Sequence, residues 1–547
     1  MQYKVPMNKK SDEGVPRPGG SGIARALADH GPSLAVLFVL AAFPPLYHGI
    51  ARDALANADM DIVSIYQTLL IIAGQPLLPN PHTGYVYFLS LAGWFHLFDW
   101  LNLVPLIDID TLKSSPEFDQ LFAQLVVVGR WFSIFLSCLL VAMVYAAIWM
   151  VHPNRLHALL LGILFTIGGG GVAAQSVMMR TELPSMVLLF SAAVALIAAT
   201  RAHYIRALGL LTVVGFLIHA SMMVKVQGVI VIMFLPLLAL VFGWENRMRS
   251  LEIPPGRVRA GVLATALAVS VPVAAIYYQS LIPESPGLYQ WVIAAFVFSS
   301  ALAYGHFNLG AVRHGIIGFA AVAAGFSLAY GLIAVNGQWW TTYGIVNFVE
   351  LMSVYLPPAA EASARQPEGL AAVKVLSNVA GKLASGFSLT EVSRFFTERL
   401  RSFDYPFALL YGAVPASVVF LAAKRKFDAA LKAGFLCLMA GMIVAIFWAG
   451  RGFFNFYYSV YVEAWVILAA AIAVRELAPM TVSWPRHWLR TGQVGVLVVI
   501  VAVVAVNVRF RLLDPAAANP VVAKSACFIR VLTPLIHQRF NGYCAQG

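Results

Sequence analysis

RWFSIFLSCLLVAMVYAAIWMV, residues 130–151, is an unbroken apolar run opened by one arginine. Its length matches the roughly 20 residues that a helix needs to cross a hydrocarbon core. A membrane barrel strand would instead alternate over about ten residues. Similar runs lie near 33–51, 156–176, 183–200, 207–223, 226–244, 260–281, 288–308, 314–335, 405–423, 429–449, 454–474 and 493–508, about thirteen spans in all. Lipid leaves backbone polar groups no outside partner, so spans of this kind must be helical. The expected fold is an all-α polytopic membrane protein.

Composition agrees. Hydrophobic residues make up 60% of the 547 and charged residues only 11%, where a soluble domain carries about 25% charged. Mean hydropathy is +0.78. A soluble chain this apolar has too little polar surface to cover itself. The net charge of +12 raises nucleic acid as a partner, but no basic cluster sits on a soluble segment. The basic residues fall in short loops instead.

Those loops set the orientation. With the N-terminus in the cytoplasm, the inner loops hold Arg155, Arg201, Arg206, Arg247, Arg249, Lys424, Arg425, Lys426 and Arg475, as the positive-inside rule asks. Residues 1–32 then form a polar cytoplasmic tail, without the small-residue cleavage site of a signal peptide. Residues 33–335 form an N-terminal transmembrane module whose first outer loop spans 52–129. A large outer loop follows at 336–404, then transmembrane helices over 405–508 and an outer tail at 509–547. That tail holds Cys527 and Cys544, whose spacing suits a disulfide in an oxidising compartment. Cys138 and Cys437 lie in apolar runs and read as packing residues. The Ala-rich spans have a bacterial style, which places the chain in an inner membrane with its long loops on the periplasmic side.

Four groups carry candidate chemistry, all near the outer face. Asp53, Asp59 and Asp61 follow the first span. Carboxylates there can deprotonate an acceptor hydroxyl or hold a divalent cation, though a solvated loop has the same look. Arg180-Thr181-Glu182 fills the short outer turn between the third and fourth spans. Glu182 there can face the Asp59 region, and Arg180 can pair with a phosphate or a carboxylate. Lys225 lies between two apolar runs with almost no loop. It is either a snorkelling lysine or a cation facing an interior cavity. Arg451 to Tyr458 opens a late span with Arg451, Tyr457 and Tyr458. Arginine beside tyrosines suits a phosphate with a lipid or sugar ring, and an aromatic belt with one anchor is the plainer alternative. Glu463, five residues further on, falls at hydrocarbon depth, where an ionisable group is a functional or paired candidate. Arg52, Arg130 and His82 complete the set. Gly168 to Gly171, a run of four glycines, reads as close helix packing or a flexible point. The sequence shows no P-loop, Gly-x-Ser-x-Gly elbow or His-Glu-x-x-His.

The order of these motifs resembles the C-type (GT-C) glycosyltransferases, which include protein O-mannosyltransferases and lipid A aminoarabinose transferases. Asp59-Met60-Asp61, followed by Tyr66-Gln67-Thr68-Leu69-Leu70 and the break Gly74-Gln75-Pro76, resembles that family's acidic first outer loop. Arg130 matches its arginine opening the second span, and Arg180-Thr181-Glu182 its Arg-Pro-Asp turn with two substitutions. Lys225 matches the lysine after the fifth span, and Arg451 to Tyr458 an Arg/Tyr-rich start to a late span. The resemblance implies a polyprenyl-phosphate-linked sugar donor, a glycan, lipid or protein acceptor on the periplasmic side, and inversion at the anomeric carbon. It implies Asp59 or Asp61 as general base, with Glu182 orienting the acceptor or holding a divalent cation alongside Asp61. Arg180, Lys225 and Arg451 would hold the leaving phosphate, with Arg130, His82, Tyr457 and Tyr458 also lining the substrate site. Two other classes stay open: a polymerase or ligase of O-antigen type, and a transporter or flippase of lipid-linked saccharide.

Overall fold

The computed structural model describes residues 22–50, 61–75, 77, 84–202, 204–225, 228–232, 234–248, 312–334, 388, 390–394, 397, 405–451, 456–478, 533 and 535–536. Their regular structure is helical throughout. In chain order the helices are α1 (Gly22–Pro44), α2 (Asp61–Ile72), α3 (Tyr85–Trp100), α4 (Ile109–Ser114), α5 (Phe118–Val151), α6 (Arg155–Gly168), α7 (Gly170–Ser176) and α8 (Glu182–Ala199). They continue as α9 (Tyr204–Val224), α10 (Gly228–Ile232), α11 (Leu235–Met248), α12 (Val312–Ala334), α13 (Tyr405–Ala423), α14 (Phe427–Arg451) and α15 (Val460–Leu477). Among the described residues, five helices are long and apolar enough to cross a membrane, or six if the bent pair α6–α7 is one span. The expected spans at 260–281, 288–308 and 493–508 lie outside the described residues.

Three elements differ from the sequence expectation. The span expected at 130–151 is the second part of a 34-residue helix that begins at Phe118. Asp119 in its first turn favours a helix start there. Phe122, Leu125 and Val126 then continue the buried stripe upstream, although Asp119, Gln120 and Gln124 dilute its hydropathy. The span expected at 156–176 is bent by 62° at the glycine run. The span expected at 226–244 is split between α10 and α11, with Pro236 just inside the new helix start, where proline is tolerated because its missing N–H has no intrahelical partner anyway.

The core is a single apolar cluster running through α2, α3, α5, α8, α9, α14 and α15. α15 is its axis, buried from Val460 to Ala473. By contrast Val39, Phe135, Ile205, Leu409, Val419 and Leu438 are exposed, an arrangement that water penalises and lipid accepts. α9 and α12 cross backbone against backbone at two glycines. A Cβ on Gly215 would run into the Val322 carbonyl oxygen, and one on Gly325 into that of Thr212. Small residues at such a crossing let two backbones meet where lipid supplies no hydrophobic drive.

Candidate functional site

Asp61 opens α2, where the free amides of the first turn favour a negative charge. Its side chain is 0% exposed. Oδ2 accepts from Arg130 Nη2 at 2.8 Å and Nε at 3.2 Å. Oδ1 accepts from the Met179 backbone N–H at 2.7 Å. Arg130, in α5, also donates from Nη1 to the Ile50 carbonyl at 3.2 Å. One carboxylate therefore joins α2, α5 and the turn between α7 and α8.

That turn carries the second group. Arg180 Nε and Nη2 donate to Glu182 Oε2 and Oε1 at 3.2 and 3.3 Å. Lys225 Nζ lies 3.4 Å from Glu182 Oε1. Glu182 is 0% exposed and Lys225 2%. Lys225 reaches this position because α9 ends at Val224 and the chain turns before α10, with the Gly228 N–H returning to the Lys225 carbonyl at 3.1 Å. The Ser185 and Ser221 hydroxyls, 3.1 Å apart, pin α8 to α9 beside it. Arg180, with 10% of its side chain exposed, is the most open of the five charged groups.

Tyr87 of α3 was not among the sequence candidates, and the structure adds it. Its side chain is buried among these elements. Burial first, then the charges of Asp61 and Glu182, push its phenol ionisation well above the ordinary range, so it remains a neutral hydroxyl. The Met179 N–H on Asp61 and the adjacent Arg180 bring the two ion groups side by side. Taking such charges out of water costs several kcal/mol per ion before pairing returns it. An arrangement that gathers three cations and two carboxylates from four separate stretches has no advantage over an apolar core in stability alone.

Thus Asp61, Arg130, Arg180, Glu182 and Lys225 converge. Asp59, two residues before Asp61, lies outside the described residues, as do Asp53, His82, Cys527 and Cys544. Tyr458 packs elsewhere, stacked on Phe447 with ring centroids 4.7 Å apart, inside the core between α14 and α15. Arg451 is the last residue of α14, and Tyr457 lies in a single 3-10 turn at Phe456–Ser459. Among the described residues, no three His, Cys, Asp or Glu side chains gather as a metal-holding group. The positive charge beside Asp61 and Glu182 comes from side chains.

No family model matches the sequence, and the comparison with curated proteins finds no match. Among solved structures, the crystal structure of ArnT from Cupriavidus metallidurans bound to undecaprenyl phosphate is matched at a TM-score of 0.26 and 9% identity. The match covers 84% of this chain and 79% of that one. A likeness this loose carries no argument about this chain's function.

Proposed function

We propose that the chain is a membrane-embedded glycosyltransferase of C type. It would move a sugar from a polyprenyl-phosphate donor to a hydroxyl of a periplasmic lipid, glycan or protein acceptor. One observation carries this reading: Asp61, Arg130, Arg180, Glu182 and Lys225, drawn from stretches up to 164 residues apart in sequence, meet in one buried cluster. The Met179 N–H hydrogen-bonds Asp61, and the next residue is Arg180, so one hydrogen bond and one peptide bond join the two ion groups.

In this reading the acceptor oxygen attacks the anomeric carbon, its bond to the phosphate oxygen breaks, and configuration inverts. The acceptor proton passes to a carboxylate. Asp61 has both oxygens engaged, by Arg130 and the Met179 N–H, so the base is assigned to Asp59 and the organising role to Asp61. Arg180 and Lys225 lie where a leaving phosphate would meet fixed positive charge in a dry setting, an arrangement that stabilises charge as it develops. Glu182 holds both cations in place. Arg451 and Tyr457 stay candidates for the donor's phosphate and ring.

The test starts with mass spectrometry of envelope lipids and glycans from a deletion strain, which names the missing sugar. Purified protein is then assayed for transfer from the matching lipid-linked donor. Loss of transfer in Asp59→Ala supports the base. Full activity in both Asp59→Ala and Asp61→Ala refutes the assignment.

A further inference from the structure

The bent helix lies against a buried carboxylate that the proposed reaction does not use. Glu463, in the first turn of α15, is 0% exposed. Its Oε1 accepts from the Gly171 backbone N–H at 2.8 Å and from the Ser459 hydroxyl at 2.6 Å. Gly171 is the second residue of α7, so Glu463 satisfies an amide that the break at Gly168–Gly170 leaves without an intrahelical acceptor. The fit admits no side chain. A Cβ on Gly171 would run into the Val460 backbone nitrogen, and one on Gly169 would lie 2.8 Å from Glu463 Oε2. The four-glycine run is thus the place where a broken helix meets the start of α15.

The other end of the same segment is held in the same way. Eight residues after Gly171, the Met179 N–H donates to Asp61 Oδ1 at 2.7 Å. Arg180 and Glu182 follow at once. Two buried carboxylates from different elements therefore clamp residues 171–179 at both ends, and the loaded end carries the cation turn. Both bonds are short, 2.8 Å at Gly171 and 2.7 Å at Met179, and both acceptors are 0% exposed, which makes each clamp a fixed point.

We propose that Glu463, with Ser459, is a positioning residue: through α7 it sets where Arg180 stands in the cluster. This rests on the glycosyltransferase reading only for the identity of what Arg180 meets. The placement itself concerns the protein alone.

The experiment therefore has two arms on the full chain in nanodiscs. Hydrogen–deuterium exchange follows the peptide covering residues 172–182 without any ligand. Glu463→Gln, and the gentler Ser459→Ala, are expected to raise exchange there about tenfold, and unchanged exchange in both overturns the proposal. The second arm measures undecaprenyl phosphate binding in a double-mutant cycle with Arg180→Ala. Glu463→Gln should weaken binding about tenfold in the wild-type background and less than twofold once Arg180 is gone, since residues acting through one another are non-additive. An equal loss in both backgrounds overturns a role through Arg180. Wild-type protein that fails to bind undecaprenyl phosphate sinks the reading of function, and the exchange arm then decides the positioning on its own.

Discussion

Ion pairs at the two ends of this bundle share chemistry and differ in burial. At one end Arg130–Asp61 has side chains 1% and 0% exposed, and the Glu182 group is nearly as dry. At the other, Arg155–Asp29 stands at 51% and 50%, and Lys426–Glu476 at 51% and 20%. The exposed pairs have short separations, 2.7 Å for Arg155–Asp29, yet water and salt screen them to about 0–1 kcal/mol each. They anchor basic loops at a membrane surface. The buried pairs give no such easy account, because desolvation opposes them. Distance alone does not tell the two ends apart; burial does.

The largest expected effect tests that distinction directly. Asp61→Ala strips Arg130 of its carboxylate and leaves a buried cation, a change worth about 3–5 kcal/mol. It also frees the Met179 N–H and with it the Arg180 turn. Thermal unfolding in detergent should show the loss, and sugar transfer should vanish. If Asp61→Ala melts like the wild type, the dry end is not structurally distinct and the comparison breaks.

Next, Lys225→Met keeps the length and the apolar stem while deleting the charge. Transfer should fall about a hundredfold, the scale for one lost stabilising group in a dry site. Glu182 still has Arg180 as partner, so the fold should survive. Unchanged transfer rates would return Lys225 to a snorkelling anchor. Third, Gly325→Leu separates packing from chemistry: it should cost about 1–3 kcal/mol by overfilling the α9–α12 crossing while leaving the pH profile of transfer unmoved. Fourth, Arg155→Ala should alter stability by less than about 0.5 kcal/mol and leave transfer intact.

The sequence showed the dry end unevenly, for physical reasons. Asp61, Arg130, Glu182 and Lys225 stand out because charge beside long apolar runs is costly and so draws notice. Their meeting was expected from motif order, whereas one pairing was not: Arg130, expected on substrate, lies on Asp61, while Arg180, for which a phosphate or a carboxylate stood open, lies on Glu182. Tyr87 was hidden because it is one of 20 tyrosines, in an outer segment already rich in aromatics. Glu463 was visible as an intramembrane acid, but its partner Gly171 lies 292 residues away, a separation no local pattern spans. The glycine run signalled close packing without naming what it packs against. Helix α5 was read short because hydropathy averages over faces, and Asp119, Gln120 and Gln124 hide the buried stripe of its first turns.

The smallest effect belongs to the wetter end and sharpens the contrast through pH. His152 caps the C-terminal end of α5, and its Nε2 lies 2.6 Å from His157 Nδ1. Burial, then the charges of His157 and Arg475, lower its affinity for a proton below the ordinary value of 6.5. A histidine whose folded value is depressed contributes fully above its unfolded value and loses that contribution as pH falls below it. Wild-type protein should therefore melt at slightly lower temperature at pH 5.5 than at pH 7.5, by on the order of 1 °C for a chain this long. His152→Gln should flatten that slope. A pH dependence of equal size after His152→Gln would move its origin away from this histidine pair.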